Sequence, residues 1–77
     1  MKPVKNQWTV FGFSYCGYFR KAIELLKQKK QKVQVIEIDR SDFECFQQIG
    51  NHRTSPIIFD PSQKFIGGYD DLVKYFR

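Results

Sequence analysis

The chain has 77 residues, of which 42% are hydrophobic and 17% aromatic, and its 13 Lys and Arg outnumber its 8 Asp and Glu for a formal net charge of +5. These totals predict a single folded domain over residues 1–77 and exclude a disordered chain, because the aromatic side chains supply the apolar surface that so short a domain needs. No run of about 18 apolar residues and no apolar signal segment is present, so we expect a cytoplasmic protein without a membrane partner.

The first half of the chain predicts a strand, a helix and a second strand. The segment QWTVF, residues 7–11, is rich in β-branched and aromatic residues, which is typical of a buried strand, and residues 12–15 follow as a turn. From Gly17 to about Lys30, apolar residues recur at helical spacing. They form one stripe that comprises Phe19, Ala22, Ile23 and Leu26. The segment VQVIEI, residues 33–38, predicts a strand, and the succession of strand, helix and strand implies a right-handed parallel crossover.

Four lysines crowd the end of this helix and the turn after it: Lys27, Lys29, Lys30 and Lys32. Cations at this position complement the negative end of the helix dipole. We interpret the cluster as a solvated helix end rather than a nucleic-acid surface, because no stripe of interleaved aromatic and basic residues follows it. We therefore expect no nucleic-acid partner.

The second half predicts a short helix, a β-hairpin and a final helix. Ser41 and Glu44 have the spacing of a capping box, which predicts a helix that ends near Gly50. The segments SPIIFD, residues 55–60, and KFI, residues 64–66, predict two strands joined by the turn DPSQ. Two glycines then permit a tight reversal into a helix with two aspartates at its positive end. The apolar face of that helix comprises Leu72, Val73 and Phe76.

The order β-α-β-α-β-β-α predicts an α/β fold in which helices cover a mixed sheet. This order and four short segments resemble the glutaredoxin family within the thioredoxin fold. CGYF, residues 16–19, and the RKA after it take the place of the family's C-P-Y-C or C-G-F-S motif. RTSP, residues 53–56, takes the place of the family's R-T-V-P loop. IGGYDDL, residues 66–72, takes the place of its I-G-G-x-D-D-L segment. The resemblance covers Trp8 to Phe76 and is greatest to small phage- and virus-encoded members of the family. It implies a three-layer, thioredoxin-like fold with a four-stranded mixed sheet and helices on both faces.

The resemblance implies thiol–disulfide exchange at Cys16. This cysteine stands just before the first helix, whose unpaired backbone amides favour the thiolate, and Arg20 one turn later adds positive charge. A thiolate is the nucleophile that attacks a disulfide sulfur. Position alone supports a reactive cysteine and a buried packing cysteine equally, and the other three segments favour the reactive one.

The resemblance also implies a site for glutathione, as co-substrate, or for a disulfide-bearing protein. In the family the peptide bond before Pro56 is cis, and it is expected to turn the Ser55 backbone toward the space over Cys16. The first amides of the last helix are expected to bind the γ-glutamyl carboxylate of glutathione. The implied binding residues are Tyr18, Arg53, Thr54, Ser55, Pro56, Gly68, Tyr69 and Asp70. We expect a monomer without a metal site of its own.

Three departures from the family pattern qualify this function. Phe19 replaces the second cysteine of the dithiol motif, which leaves a single-cysteine mechanism of the monothiol type. Phe13 and Phe43 replace the lysine and glutamine that hold the glycine carboxylate of glutathione, so Arg53 remains for that end. The other cysteine, Cys45, is expected to point away from the site as a packing thiol. The lone histidine, His52, is expected to be a surface residue.

Two alternative functions stay open at this point. One is a non-catalytic module that binds a peptide or protein through an aromatic rim of Phe13, Tyr15, Tyr18 and Phe43, in which Tyr15 and Tyr18 are expected to be more exposed than Phe13. The other is a glutathione-dependent iron–sulfur cluster carrier, in which Cys16 from two copies and two glutathiones hold the cluster.

Overall fold

Four strands and two helices make up the part of the chain that the computed structural model describes, residues 3–39 and 55–77. In chain order they are β1 (Trp8–Gly12), α1 (Gly17–Gln28), β2 (Val33–Glu37), β3 (Ile57–Phe59), β4 (Phe65–Gly67) and α2 (Tyr69–Tyr75). The helix predicted between Ser41 and Gly50 lies outside the described residues. The order of the other elements is the predicted one.

The strands form one mixed sheet in the order β2-β1-β3-β4. β1 pairs with β2 in parallel, with Trp8 opposite Val33, which confirms the parallel direction predicted for the two strands joined through α1. β3 runs antiparallel to β1 and to β4, and the β3–β4 pairing is irregular between Ile58 and Phe59. β1 therefore lies inside the sheet, and all five of its residues are buried.

Each face of the sheet carries its own group of buried apolar side chains. On one face, α1 and α2 pack against the sheet through Trp8, Val10, Phe19, Ala22, Leu26, Ile58 and Leu72. The predicted stripe of α1 lies here, with Phe19, Ala22 and Leu26 buried and Ile23 half-buried against them. On the other face the buried residues are Phe11, Ile38, Ile57 and Phe59. The helix expected on that second face falls within residues 41–50, outside the described part.

The first helix ends two residues earlier than its predicted limit at about Lys30. Lys30 adopts the left-handed conformation with φ of 57°, and its amide donates to Lys27 O at 3.0 Å. The next amide, Gln31 N, donates to Leu26 O at 2.9 Å. This pair of bonds is a Schellman closure, which satisfies the last carbonyls of a helix and stops it. A lysine occupies the position that glycine usually takes, so the sequence carried no stop signal.

The hairpin turn between β3 and β4 is built around Asp60. Its Oδ1 accepts hydrogen bonds from Ser62 N and Lys64 N, both at 2.9 Å. Because Lys64 is held in the turn, β4 begins at Phe65 rather than at Lys64 and runs to Gly67.

Neither helix described within residues 3–39 and 55–77 has the length and apolar content needed to cross a bilayer.

Candidate active site

Cys16 lies in the turn that joins β1 to α1, at the N-cap position of the helix. Its amide donates to Phe13 O at 3.0 Å, which closes the turn, and its carbonyl accepts from Arg20 N at 3.3 Å, which opens the first turn of α1. The backbone is extended at Cys16, with φ of −84° and ψ of 122°. The side chain is half-buried, so the sulfur is held in place and still reachable from solvent.

Cys16 lies next to the positive end of the α1 dipole. No side chain caps the helix, and its first turn contains no acidic residue. The partial positive charge of the first amides is therefore left without a carboxylate to compensate it. Arg20 is exposed, and its side chain forms no ion pair with another residue in the described part of the chain.

The loop that carries Pro56 meets Cys16 across the end of the sheet. The Ser55–Pro56 peptide bond is cis, as the family resemblance implies, and Pro56 is fully buried. The Cys16 Sγ donates to the Ser55 carbonyl oxygen at 3.6 Å. The Ser55 hydroxyl oxygen also accepts from Phe13 N at 3.2 Å. Ser55 therefore contacts both ends of the turn that presents the cysteine.

Gly12, the last residue of β1, makes room for this arrangement. A Cβ at this position would overlap the Phe19 ring and the Ser55 hydroxyl. Phe19, which stands where a dithiol motif has its second cysteine, is 3% exposed and packs in the core with Ala22 and Leu26. Its position is therefore a packing position, as its place on the helical stripe predicted.

An open groove of about 270 Å³ lies beside this cysteine, between the start of α1, the Pro56 loop and the start of α2. Its lining residues are Tyr18, Ser55, Pro56, Gly68, Tyr69, Asp70 and Asp71. Six of these seven belong to the predicted binding set, and the structure thus brings them together although the chain separates them widely. The other two predicted binding residues, Arg53 and Thr54, lie outside the described residues, as do Phe43, Cys45 and His52.

Asp71 lines the groove and was absent from the predicted set. Its Oδ2 accepts from Gly68 N at 3.0 Å, so the carboxylate caps the start of α2. Gly67 has φ of 127°, and a Cβ there would overlap the Asp71 carboxylate. Capping-box spacing from Gly68 to an acidic residue three positions later is the sequence signal that indicates this role. Tyr69 and Asp70, the first two residues of α2, line the same groove.

Aromatic side chains flank the cysteine on both sides. Tyr18 is 56% exposed, its ring lies 5.9 Å from that of Tyr69, and the Lys21 Nζ stands 5.2 Å from the Tyr18 ring centroid. On the other side the Phe13 and Tyr15 rings stack at 5.4 Å with an interplanar angle of 3°. Tyr15 is 74% exposed, whereas Phe13 is half-buried against the core, which confirms the predicted order of exposure.

Within the described residues, no group of three or more His, Cys, Asp or Glu side chains is placed to hold a metal ion.

Comparison with known proteins identifies what this geometry resembles. The glutaredoxin family model matches residues 8–66. The buckwheat glutaredoxin–glutathione complex is similar at 34% identity and a TM-score of 0.82, over 94% of this chain and 69% of that one. Glutaredoxin C1 from Populus tremula × tremuloides, in its holo form, matches at 26% identity and a TM-score of 0.83, over 94% and 68% of the two chains. The dithiolic glutaredoxin 2-C-Grx1 of Trypanosoma brucei brucei matches at 32% identity and a TM-score of 0.77, over 92% and 77%. The search of curated proteins found no match.

Proposed function

The chain belongs to the glutaredoxin family, whose fold supports thiol–disulfide oxidoreductase activity in general, and from this premise we propose that it exchanges disulfides through Cys16 alone with glutathione as co-substrate. We place this activity in the cytoplasm, where thiols are kept reduced. The proposed substrates are proteins that carry a mixed disulfide with glutathione.

One observation carries the proposal: the Cys16 sulfur stands at the uncapped start of α1 and 3.6 Å from the carbonyl of Ser55, which lines the groove. A nucleophilic sulfur needs a reachable position, a field that favours the thiolate, and a surface that orients the disulfide in front of it. We propose that Cys16 meets all three conditions. The half-buried sulfur is reachable, the first amides of α1 supply the field, and the groove supplies the surface that orients the disulfide.

We propose that the groove binds glutathione, an extended tripeptide, along its backbone and at its γ-glutamyl carboxylate. In this proposal the Ser55 backbone pairs with the peptide as an added strand would, and the amides of Tyr69 and Asp70 bind the γ-glutamyl carboxylate. The similarity to a glutaredoxin solved with glutathione supports this assignment. Arg53 and Thr54 complete the proposed binding set.

The proposed reaction has two exchange steps. In the first, the Cys16 thiolate attacks the glutathione sulfur of the mixed disulfide, the new bond joins Cys16 to glutathione, and the protein thiolate leaves and takes a proton from water. In the second, the thiolate of another glutathione attacks the same glutathione sulfur. Oxidised glutathione is released and the Cys16 thiolate is restored. Glutathione is thus the reductant, and the substrate cysteine is reduced.

A single-cysteine route follows from the position of Phe19, whose buried ring leaves no thiol one turn after Cys16. We propose that Arg20 adds to the positive potential at the sulfur. Cys45 is proposed to have no part in either step.

The test is turnover of a glutathionylated peptide with glutathione, coupled to glutathione reductase. We expect Cys16→Ser to lose all measurable turnover, because an alkoxide does not form at neutral pH, and Cys45→Ser to keep the wild-type rate. Absence of turnover by the wild-type protein would overturn the proposed function. Loss of turnover in Cys45→Ser with an unchanged fold would overturn the single-cysteine mechanism.

The exposed aromatic rings support a second candidate, a module that binds protein partners without catalysis. Tyr15 and Tyr18 are 74% and 56% exposed, and rings of this size concentrate binding energy at interfaces. Under this candidate, Cys16→Ser keeps its affinity for a disulfide-free partner peptide. The turnover assay separates the two functions, because only the first one requires the sulfur.

A further inference from the structure

We infer that the Ser55 side chain is a positioning residue that clamps the cysteine turn to the Pro56 loop, and this inference rests on the proposed function. The two segments are far apart in the chain, since Phe13 and Ser55 are separated by 42 residues. Two contacts from one residue join them. The hydroxyl oxygen accepts from Phe13 N at 3.2 Å, and the carbonyl oxygen lies 3.6 Å from the Cys16 Sγ, which donates to it as the thiol.

The surrounding residues hold the hydroxyl in one place. Gly12 lacks the Cβ that would overlap the Ser55 hydroxyl, and the Phe19 ring fills the other side of the same space. Pro56 is fully buried beside it. The hydroxyl is therefore packed into a space that the absence of a Gly12 side chain creates. A surface serine that happened to contact an amide would not have such surroundings.

The contact between Ser55 and the cysteine turn aligns the reacting sulfurs. Phe13 and Cys16 lie at the two ends of one turn, closed by the bond from Cys16 N to Phe13 O at 3.0 Å. A bond from Phe13 to the Ser55 hydroxyl therefore sets the distance between the sulfur and the Ser55 backbone. A disulfide that pairs with that backbone is then held with its sulfur in front of the Cys16 sulfur. Exchange needs the attacking and leaving sulfurs in line, so a loosened turn slows the reaction without weakening the nucleophile.

Two reagents distinguish an effect on the alignment of the sulfurs from an effect on the nucleophilicity of Cys16. In the transfer reaction, the Cys16 thiolate bonds to the glutathione sulfur of a glutathionylated peptide, and the peptide thiolate leaves; this step needs the substrate to lie in the groove. Alkylation by iodoacetamide forms a carbon–sulfur bond with loss of iodide and needs no groove. A residue that positions the turn affects the first reaction alone.

The experiment compares Ser55→Val with Ser55→Thr. The two side chains have nearly the same shape, and only threonine keeps a hydroxyl. We expect Ser55→Val to transfer glutathione about tenfold more slowly in a single turnover, with the alkylation rate within about twofold of wild type, and Ser55→Thr to restore most of the transfer rate. The Phe13 amide should exchange its hydrogen faster in Ser55→Val, as read by NMR. Ser14→Ala, which changes an exposed serine in the same turn, is the matched control and should behave as wild type.

Three results would overturn the inference: a wild-type transfer rate in Ser55→Val, an equal slowing of transfer and alkylation, or no recovery in Ser55→Thr. Failure of the proposed function has a different signature, in which the wild-type protein alkylates normally but takes no glutathione from the peptide. The comparison is then made with the symmetrical disulfide of the same peptide. A slower reaction in Ser55→Val than in Ser55→Thr supports the clamp, and equal rates overturn it.

Discussion

Tyr18 is the residue whose substitution best separates substrate binding from the reactivity of Cys16. It lines the groove, its ring lies 5.9 Å from the Tyr69 ring, and the Lys21 Nζ stands 5.2 Å from its centroid. These two neighbours hold a ring that is 56% exposed in one orientation at the edge of the groove. A ligand in the groove therefore meets a preorganised aromatic surface, which costs little conformational entropy on binding.

We predict that Tyr18→Ala raises the KM for a glutathionylated peptide by roughly 5- to 30-fold, the equivalent of about 1–2 kcal/mol of lost aromatic contact. Alkylation of Cys16 by iodoacetamide should be unchanged, because the sulfur keeps its own surroundings. Steady-state kinetics measure the first effect. Tyr18→Phe is the control, since it keeps the ring and should keep the wild-type KM. An unchanged KM in Tyr18→Ala would remove Tyr18 from the binding site.

At the scale of elements, the junction of β1 and α1 decides the geometry of the site. Two glycines flank the cysteine turn and have opposite surroundings. A Cβ on Gly12 would overlap Phe19 and Ser55, whereas a Cβ on Gly17 would meet no atom within 4 Å. The first glycine is thus required by close packing between elements, and the second, at the first position of α1, is exposed.

We predict that Gly12→Ala lowers the free energy of unfolding by about 1–3 kcal/mol, the cost of forcing an extra carbon into a packed region. It should also reduce turnover, because it displaces the Ser55 hydroxyl. Gly17→Ala is the matched control and should be neutral or stabilising by up to about 1 kcal/mol, because alanine is the better helix former. Chemical denaturation followed by circular dichroism measures both. Equal stabilities of the two variants would contradict the packing argument.

Element positions were predictable where the signal is local, and element limits were not. The apolar stripe of α1 follows from spacing alone, since a helix buries one face. The end of α1 and the start of β4 both moved from their predicted residues. A left-handed Lys30 stops the helix, and Asp60 holds Lys64 in the turn. Hydrogen bonds decided both limits, at residue types that give little warning in a sequence.

At the scale of the whole molecule, the chain has a net charge of +5, and its principal extents are 31 × 24 × 19 Å. In about 0.01 M salt the Debye length is about 30 Å, comparable to the molecule itself, and at about 0.15 M it is about 8 Å. At low salt a substrate therefore experiences the charge of the whole protein. At high salt it experiences mainly the charges beside the groove, which include Asp70 and Asp71.

We predict that an acidic glutathionylated peptide has a several-fold higher kcat/KM than a basic one of the same length at about 0.01 M salt, because the net charge attracts it. The ratio should fall toward one at about 0.15 M salt. Turnover of the two peptides across a salt series measures it. Alkylation by uncharged iodoacetamide is the control and should not depend on salt. A ratio that is constant across the series would show that long-range charge has no part in substrate capture.

Local patterns in the chain were enough to predict the described elements and the family, and they supplied the proposed nucleophile. Strand alternation, helical spacing and turn residues act over a few positions, and the four family segments mark Cys16 and the groove residues directly. Only the folded arrangement revealed that the Ser55 carbonyl meets the Cys16 sulfur, 39 residues away, and that its hydroxyl meets Phe13 N. It also placed Tyr18 beside Tyr69 and created the space at Gly12. These contacts arise where strands, helices and loops from distant parts of the chain pack together, and no local pattern specifies the partner of a side chain at that distance.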